Sequence, residues 1–196
     1  MHGALASSVV FAVRKLVKGG GPAPLRLASP ISTRKQLSQG DDCVVLTDTG
    51  ILELDVPSSG DFWELARRVK SELSPQTSLD NIAERRRAFQ QALGNVFDAE
   101  GTIRLARQAM NVDFVLTNLG NLSFERRYGQ LSLEALWSAI LIGTFENQHV
   151  LGVATVHGSL SLMYCSYTPI PHLLETMKSF LTEAVAVLSK KEGVGQ

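Results

Sequence analysis

At 196 residues the chain is long enough for one domain with a sizeable core, or at most two small ones. A hydrophobic fraction of 44% and a charged fraction of 19% describe a soluble globular protein, and equal numbers of basic and acidic residues leave a formal charge of zero, so no net field draws the chain to nucleic acid or an anionic membrane. Cys43 and Cys165 stand far apart and fit reduced thiols in a cytoplasmic protein better than a disulfide scaffold or a metal site.

No apolar run reaches the length of a membrane span. Arg14, Lys15 and Lys18 follow the first apolar run, where a signal peptide would place its charges ahead of it. That run reads as a helix over residues 2–18, with Leu5, Val9, Val13 and Leu16 at helical spacing and Gly19 to Gly21 as its stop. It begins almost at Met1 without a capping residue, which suggests a chain cut from something longer or one half of a split protein. Residues 25–31 predict a strand broken at Pro30. Residues 43–46 and 51–56 predict paired strands joined by a turn over 47–50.

Asp61 predicts a helix cap, with Glu64 three residues on and Phe62, Ala66, Val69 and Leu73 as the buried stripe up to Pro75. Thr77 or Ser78 caps the next helix, which carries Leu79, Ile82, Phe89 and Leu93 on one face and ends at Gly94. Arg85, Arg86 and Arg87 on that helix read as a solvated face, with docking of a phosphate-bearing partner as the lesser alternative. Asp98 caps a helix through Met110. Phe114 to Thr117 then form a short apolar strand, closed by the turn-forming Asn118, Leu119, Gly120 and Asn121. After a polar connection over 119–129, residues 131–140 read as a strand, although LEALW also tolerates helix. Strands follow over 141–146, 150–156 and 159–167, with hairpin turns at Asn147-Gln148 and His157-Gly158. A last helix covers 172–189, and 190–196 form a frayed tail of a single domain spanning 1–196.

The chain has no cysteine–histidine cluster with metal spacing, no phosphate-cradling glycine loop with a lysine and no G-x-S-x-G elbow. His2, His149, His157 and His172 are scattered and read as surface or capping residues, and none has an aspartate four residues later. The end of the 114–117 strand is the more informative place. A buried strand delivers its last residues to a sheet edge, where α/β proteins place ligands, and there Thr117 offers a hydroxyl, Asn118 an amide and Gly120 a backbone free to turn or approach something bound.

Taken together, HGALASSVVFAVRKL, SPISTR, GDFWELARRVKSEL, DFVLTNLGN and the hairpin run ending HGSLSLMYCSYTP come in an order that resembles the C-terminal half of the condensation-domain and acyltransferase superfamily. That group includes chloramphenicol acetyltransferase, polyketide-associated acyltransferases, alcohol acetyltransferases and the condensation domains of peptide synthetases. The resemblance implies an α/β (α+β) two-layer sandwich, a mixed sheet covered by helices, as one lobe of a two-lobed molecule with a tunnel between its lobes. Acyl-coenzyme A or a phosphopantetheinyl carrier would bring the donor as co-substrate, and an alcohol or amine would accept it. The family's general base, the histidine of a His-x-x-x-Asp motif in the N-terminal lobe, is absent from this sequence. Residue by residue, the resemblance maps Arg34 onto the arginine that holds the site's geometry by pairing with the motif's aspartate. It maps Thr117 and Asn118, with Gly120 beside them, onto the strand end facing the catalytic histidine, a place for oxyanion or tunnel contacts. Tyr164 and Ser166 are weaker candidates for the tunnel wall.

Two readings follow. In one, the chain is the acyltransferase's C-terminal lobe, inactive alone and completed by an N-terminal lobe. In the other, it is a non-catalytic binding or scaffolding module that self-associates or docks a carrier protein. Either way, the face left bare should be partly apolar and covered by a partner or a second copy.

Overall fold

In the computed structural model, residues 1–21, 23–34, 36–38, 43–137 and 145–193 are described, the side chains as far as 188. Five strands form one mixed sheet in the order β2-β1-β3-β6-β7, with β1 Leu25–Ser32, β2 Thr47–Leu54, β3 Phe114–Leu122, β6 His149–Val156 and β7 Ser159–Ser166. The central strands β1, β3 and β6 run parallel, and each outer strand is antiparallel to its neighbour. A separate two-stranded ribbon pairs β4 Arg127–Tyr128 with β5 Leu131–Ser132.

Helix α1, His2–Leu16, is the centre of the layer on one face of the sheet, packed between α2, Phe62–Gln76, and α5, Leu173–Gly193. Its apolar stripe Leu5, Val9, Val10 and Val13 is fully buried against Leu25 and Leu27 of β1, Leu52 and Leu54 of β2, and Phe114 and Leu116 of β3. α1 and α2 come close enough that a Cβ at Gly3 would collide with the carbonyl oxygen of Ala66. At the far end of α1, Arg14 binds the carbonyls of Gly20 and Gly21 and pairs with Asp55 at 2.9 Å, which ties the glycine turn to the exit of β2. Helices α3, Leu79–Gly94, and α4, Ala99–Ala109, lie at the periphery, with Ile82 as their one buried residue.

The caps follow the sequence. Asp61 accepts from Trp63 N and Glu64 N, and Asp98 from Gly101 N. Of the two residues that could cap α3, Ser78 does so, accepting from Asn81 N. The His157-Gly158 turn also stands. Both residues have positive φ, 50° and 79°, as a two-residue turn between Val156 and Ser159 requires.

Several expectations change, the first being the strand predicted over 43–46, which does not form. The turn predicted over 47–50 is the first half of β2, which pairs with β1 from Ser32↔Thr47 to Leu25↔Leu54. Tertiary contacts override the local turn signal there: Arg85 holds Asp48 at 2.7 Å, and Gly50 lies where a Cβ would press on Leu73 Cδ1 at 2.6 Å. The strand predicted to break at Pro30 continues to Ser32. The turn predicted at 118–121 is a bulge inside a nine-residue β3. α5 runs on to Gly193, past the start of the tail expected to fray from 190. Of the strand predicted over 131–140, only Leu131–Ser132 is a strand among the described residues, and 138–144 lie outside them, with most of the strand predicted over 141–146.

Pro30 survives inside β1 because of the direction it faces. Thr33 N donates to Leu46 O on the β2 side, whereas Arg26 O accepts from Asp113 N on the β3 side. Backbone groups alternate along a strand, so Pro30 turns the same way as Arg26, toward β3. It has no N–H to offer there, and the β1–β3 ladder ends at Ala28↔Val115, two residues earlier. Beyond that pair no ladder joins the two strands. β1 stays with β2 to Ser32 and β3 stays with β6 to Leu122.

The opposite, outer edge of β2 is closed by a side chain. Gln76 of α2 donates to Ile51 O at 3.0 Å and accepts from Ile51 N at 3.0 Å, a side-chain copy of a neighbouring strand. Gln76→Ala removes both bonds and is expected to lower the unfolding free energy by about 1–3 kcal/mol in urea titration. A change within about 0.3 kcal/mol would show that water replaces Gln76 without loss.

Candidate functional site

The carboxyl ends of the parallel strands β1, β3 and β6 share one edge of the sheet. β1 delivers Thr33 and Arg34 to that edge, β3 delivers Thr117 to Leu122, and β6 delivers the His157 turn. Because the β1–β3 ladder ends at Ala28 and Val115, residues 116–122 of β3 have no ladder to β1.

Phe114 and Leu116 belong to the helix-covered core, and Val115 joins Ala28, Val112 and Val150 in a smaller cluster on the other face. Strand alternation therefore places Thr117 with Val115, away from the helices, where it is buried opposite Gly152. Asn118 is half-buried and Leu119 exposed, so the strand emerges from the core at this point. The bulge begins here: Asn118 pairs with Val153 and Asn121 with Thr155, three residues of advance on β3 against two on β6. Gly120 takes the extra residue's strain at φ 74°, in open space, with nothing within 4 Å of a built Cβ. Its N–H donates to Asn118 Oδ1 at 2.9 Å. With the amide oxygen so engaged, Asn118 has its Nδ2 as the group to donate elsewhere.

Arg34 donates through Nη2 to Val44 O at 2.8 Å, in the loop that leads into β2. His157 Nε2 lies 2.9 Å from Phe124 O and ties the segment leaving β3 to the β6–β7 turn. The segment that follows exposes Tyr128, Leu131 and, at 80%, Trp137.

The structure brings Arg34, Thr117, Asn118 and Gly120 to one edge. It does not bring Tyr164 and Ser166 there. β7 runs antiparallel to β6, so Tyr164 stands opposite Leu151 and Ser166 opposite His149, beside the entry of β3 at Phe114. Tyr164 packs on the helix-covered core, and Ser166 Oγ donates to Gln148 O.

Sequence reading missed what surrounds Tyr164. His149 is no surface turn residue. It opens β6, stacks on Phe114 at 4.7 Å between ring centroids and on Tyr164 at 5.9 Å, and its Nδ1 lies 2.7 Å from Tyr164 Oη. Ile170 N donates to the same phenol oxygen at 2.9 Å. Burial lowers the His149 pKa, partly offset by the nearby Asp113 carboxylate, and raises that of Tyr164. His2 is also drawn inward: its Nε2 lies 2.8 Å from Ser29 Oγ, and burial lowers its pKa, with the chain's amino group adding to the effect. The signal for His149 was present in the strand register, since Leu151 and Val153 share its face, but only once the strand's first residue was known.

No protein-family model matches the sequence, and no curated protein matches it by sequence. Solved structures do match. The epimerization domain from the third module of tyrocidine synthetase B superposes with a TM-score of 0.61 at 14% identity, covering 98% of this chain and 43% of that one. Polyketide synthase associated protein 5 from Mycobacterium tuberculosis gives 0.55 at 14% identity, covering 91% and 44%. PapA2 acyl transferase gives 0.50 at 15% identity, covering 93% and 38%. The chain has the condensation-domain fold. It spans about two fifths of the length of each of these structures, and at such identities the likeness is one of fold. Among the described residues, no helix is long and apolar enough to cross a membrane.

The two inward histidines give the fold a pH dependence. In the unfolded chain each titrates near the ordinary value of about 6.5, whereas in the folded chain protonation is harder. The unfolded state therefore binds more protons as the pH falls through about 6.5, and stability that is full above about pH 7 declines below it. Urea unfolding at about pH 7.5 and 5.5 should show this loss, and His2→Gln with His149→Phe should flatten it. An unchanged loss in the double variant would contradict the assignment.

Proposed function

We propose that the chain is the C-terminal lobe of an acyltransferase that moves an acyl group from coenzyme A or a carrier protein to an alcohol or amine. The observation that carries this reading is the end of the β1–β3 ladder at Ala28 and Val115, with half-buried Asn118 and the Gly120 bulge beyond it at the carboxyl edge of a condensation-type fold. One of the solved structures of that fold is named an acyl transferase, and two are named for peptide or polyketide synthases, which favours a carrier-protein partner.

In this reading the lobe supplies hydrogen-bond donors and walls. Asn118 Nδ2 is the group to meet the oxyanion of a tetrahedral intermediate, Thr117 on the opposite face of the strand anchors it, and Gly120 lets the backbone approach the thioester. Donors preset at the place where charge develops lower the barrier without reorganising. Arg34 stands at the same edge to pair with an aspartate of the completing lobe. The general base must come from outside the chain. The residues four after its histidines are Ala6, Val153, Ser161 and Thr176. That absence also favours the second reading, a non-catalytic module whose exposed Leu131 and Trp137 are covered by a partner lobe, a carrier protein or a second copy.

The test is reconstitution. The chain is mixed with a condensation-type N-terminal lobe bearing His-x-x-x-Asp, and transfer from acyl-coenzyme A and from an acyl carrier protein is followed by product chromatography. The acyltransferase reading predicts a complex and transfer only in the mixture, with Asn118→Ala lowering the rate about 100-fold. A stable complex without transfer from either donor would support the non-catalytic module instead.

A further inference from the structure

A second concave surface lies on the helical layer, formed by α1 and α2 without any strand. It is a cleft of about 510 Å³, within the roughly 300–1,000 Å³ of small-molecule sites. One face of α2 provides its wall, because Trp63, Ala66, Arg67, Lys70, Ser74 and Thr77 recur at intervals of three and four residues. Gly3 and Ala4 of α1 line it where the two helices come close, and Ala66, Val69 and Leu73 make its apolar side. Trp63 is fixed at one end by its Nε1 donating to Ala184 O at 3.2 Å.

The charge of this cleft is one-sided. Arg67 and Lys70 stand exposed on its rim, and no carboxylate lines it. His2 adds no charge near pH 7, since burial lowers its pKa and Ser29 holds its Nε2. An apolar trough closed by two cations matches a molecule with an apolar chain and an anionic head. A neutral head would leave the complementarity unused, and a cationic one would be repelled.

We propose that this cleft binds a single-chain amphiphile with an anionic head group. Its chain lies along Trp63, Ala66, Val69 and Leu73, and its head sits between Arg67 and Lys70. The site is separate from the β3 edge, and its test does not depend on acyl transfer.

Trp63 reports on occupancy once the exposed Trp137 is replaced by phenylalanine. Decanoate, added below its micelle concentration, should change Trp63 emission saturably, and decanol should need about tenfold more for the same change. Arg67→Ser with Lys70→Ser should raise the half-saturating decanoate concentration about tenfold and leave that for decanol where it was. Equal half-saturation for the two probes, or an unchanged decanoate curve in the double variant, would overturn the proposal. So would binding to phosphatidylglycerol vesicles without a response to monomeric decanoate, which would assign the surface to a membrane.

Discussion

The missing N–H of Pro30 governs the rest of the structure. It faces β3, and the ladder between β1 and β3 ends two residues before it. A proline facing β2 would have interrupted a ladder that instead runs unbroken for eight pairs. One residue type at one parity thus decides which two strands separate and at what depth in the sheet. The core is spared, because the pairs that hold the sheet to α1 lie before the parting, at Leu27 and Phe114.

What the parting leaves is a strand end with two properties seldom found together. Thr117 is anchored in the core, and within three residues the chain is solvent-facing and turned by a bulge. A rigid strand positions Asn118, and the engagement of its Oδ1 by Gly120 N–H sets which end of the amide is offered. The edge therefore offers a positioned amide donor, with His157 beside it, its Nε2 2.9 Å from Phe124 O. His2 and His149 turn inward instead, where burial lowers their pKa values and they meet Ser29 Oγ and Tyr164 Oη. Such an edge can stabilise developing negative charge.

Much of this was legible in the sequence. Helix spacing and caps placed α1 to α4 closely, because Asp61, Ser78 and Asp98 act locally and need no tertiary knowledge. The order of the motifs gave the fold class, and Arg34, Thr117, Asn118 and Gly120 lie along the same carboxyl edge of the sheet. The failures came where distant residues decide. Asp48 to Gly50 carry a turn signature, yet Arg85, Leu73 and Gln76 hold them in a strand. Asn118 to Asn121 read as a chain reversal, yet pairing with Thr155 and Val156 makes them a bulge. Pro30 looked like a terminator because the sequence alone does not reveal which neighbour a residue faces. Tyr164 and Ser166, the weaker candidates for the tunnel wall, lie at the other end of the sheet from Asn118, because β7 runs antiparallel to β6.

Amide hydrogen exchange followed by NMR tests the central claim most directly. If β1 and β3 part after Ala28 and Val115, the amides of residues 116–122 should divide by direction: those facing β6 exchange slowly, and those facing β1 exchange about as fast as loop amides. Uniform slow exchange from Phe114 to Leu122 would mean that the strands stay paired past Pro30, and the edge on which the functional reading stands would not exist.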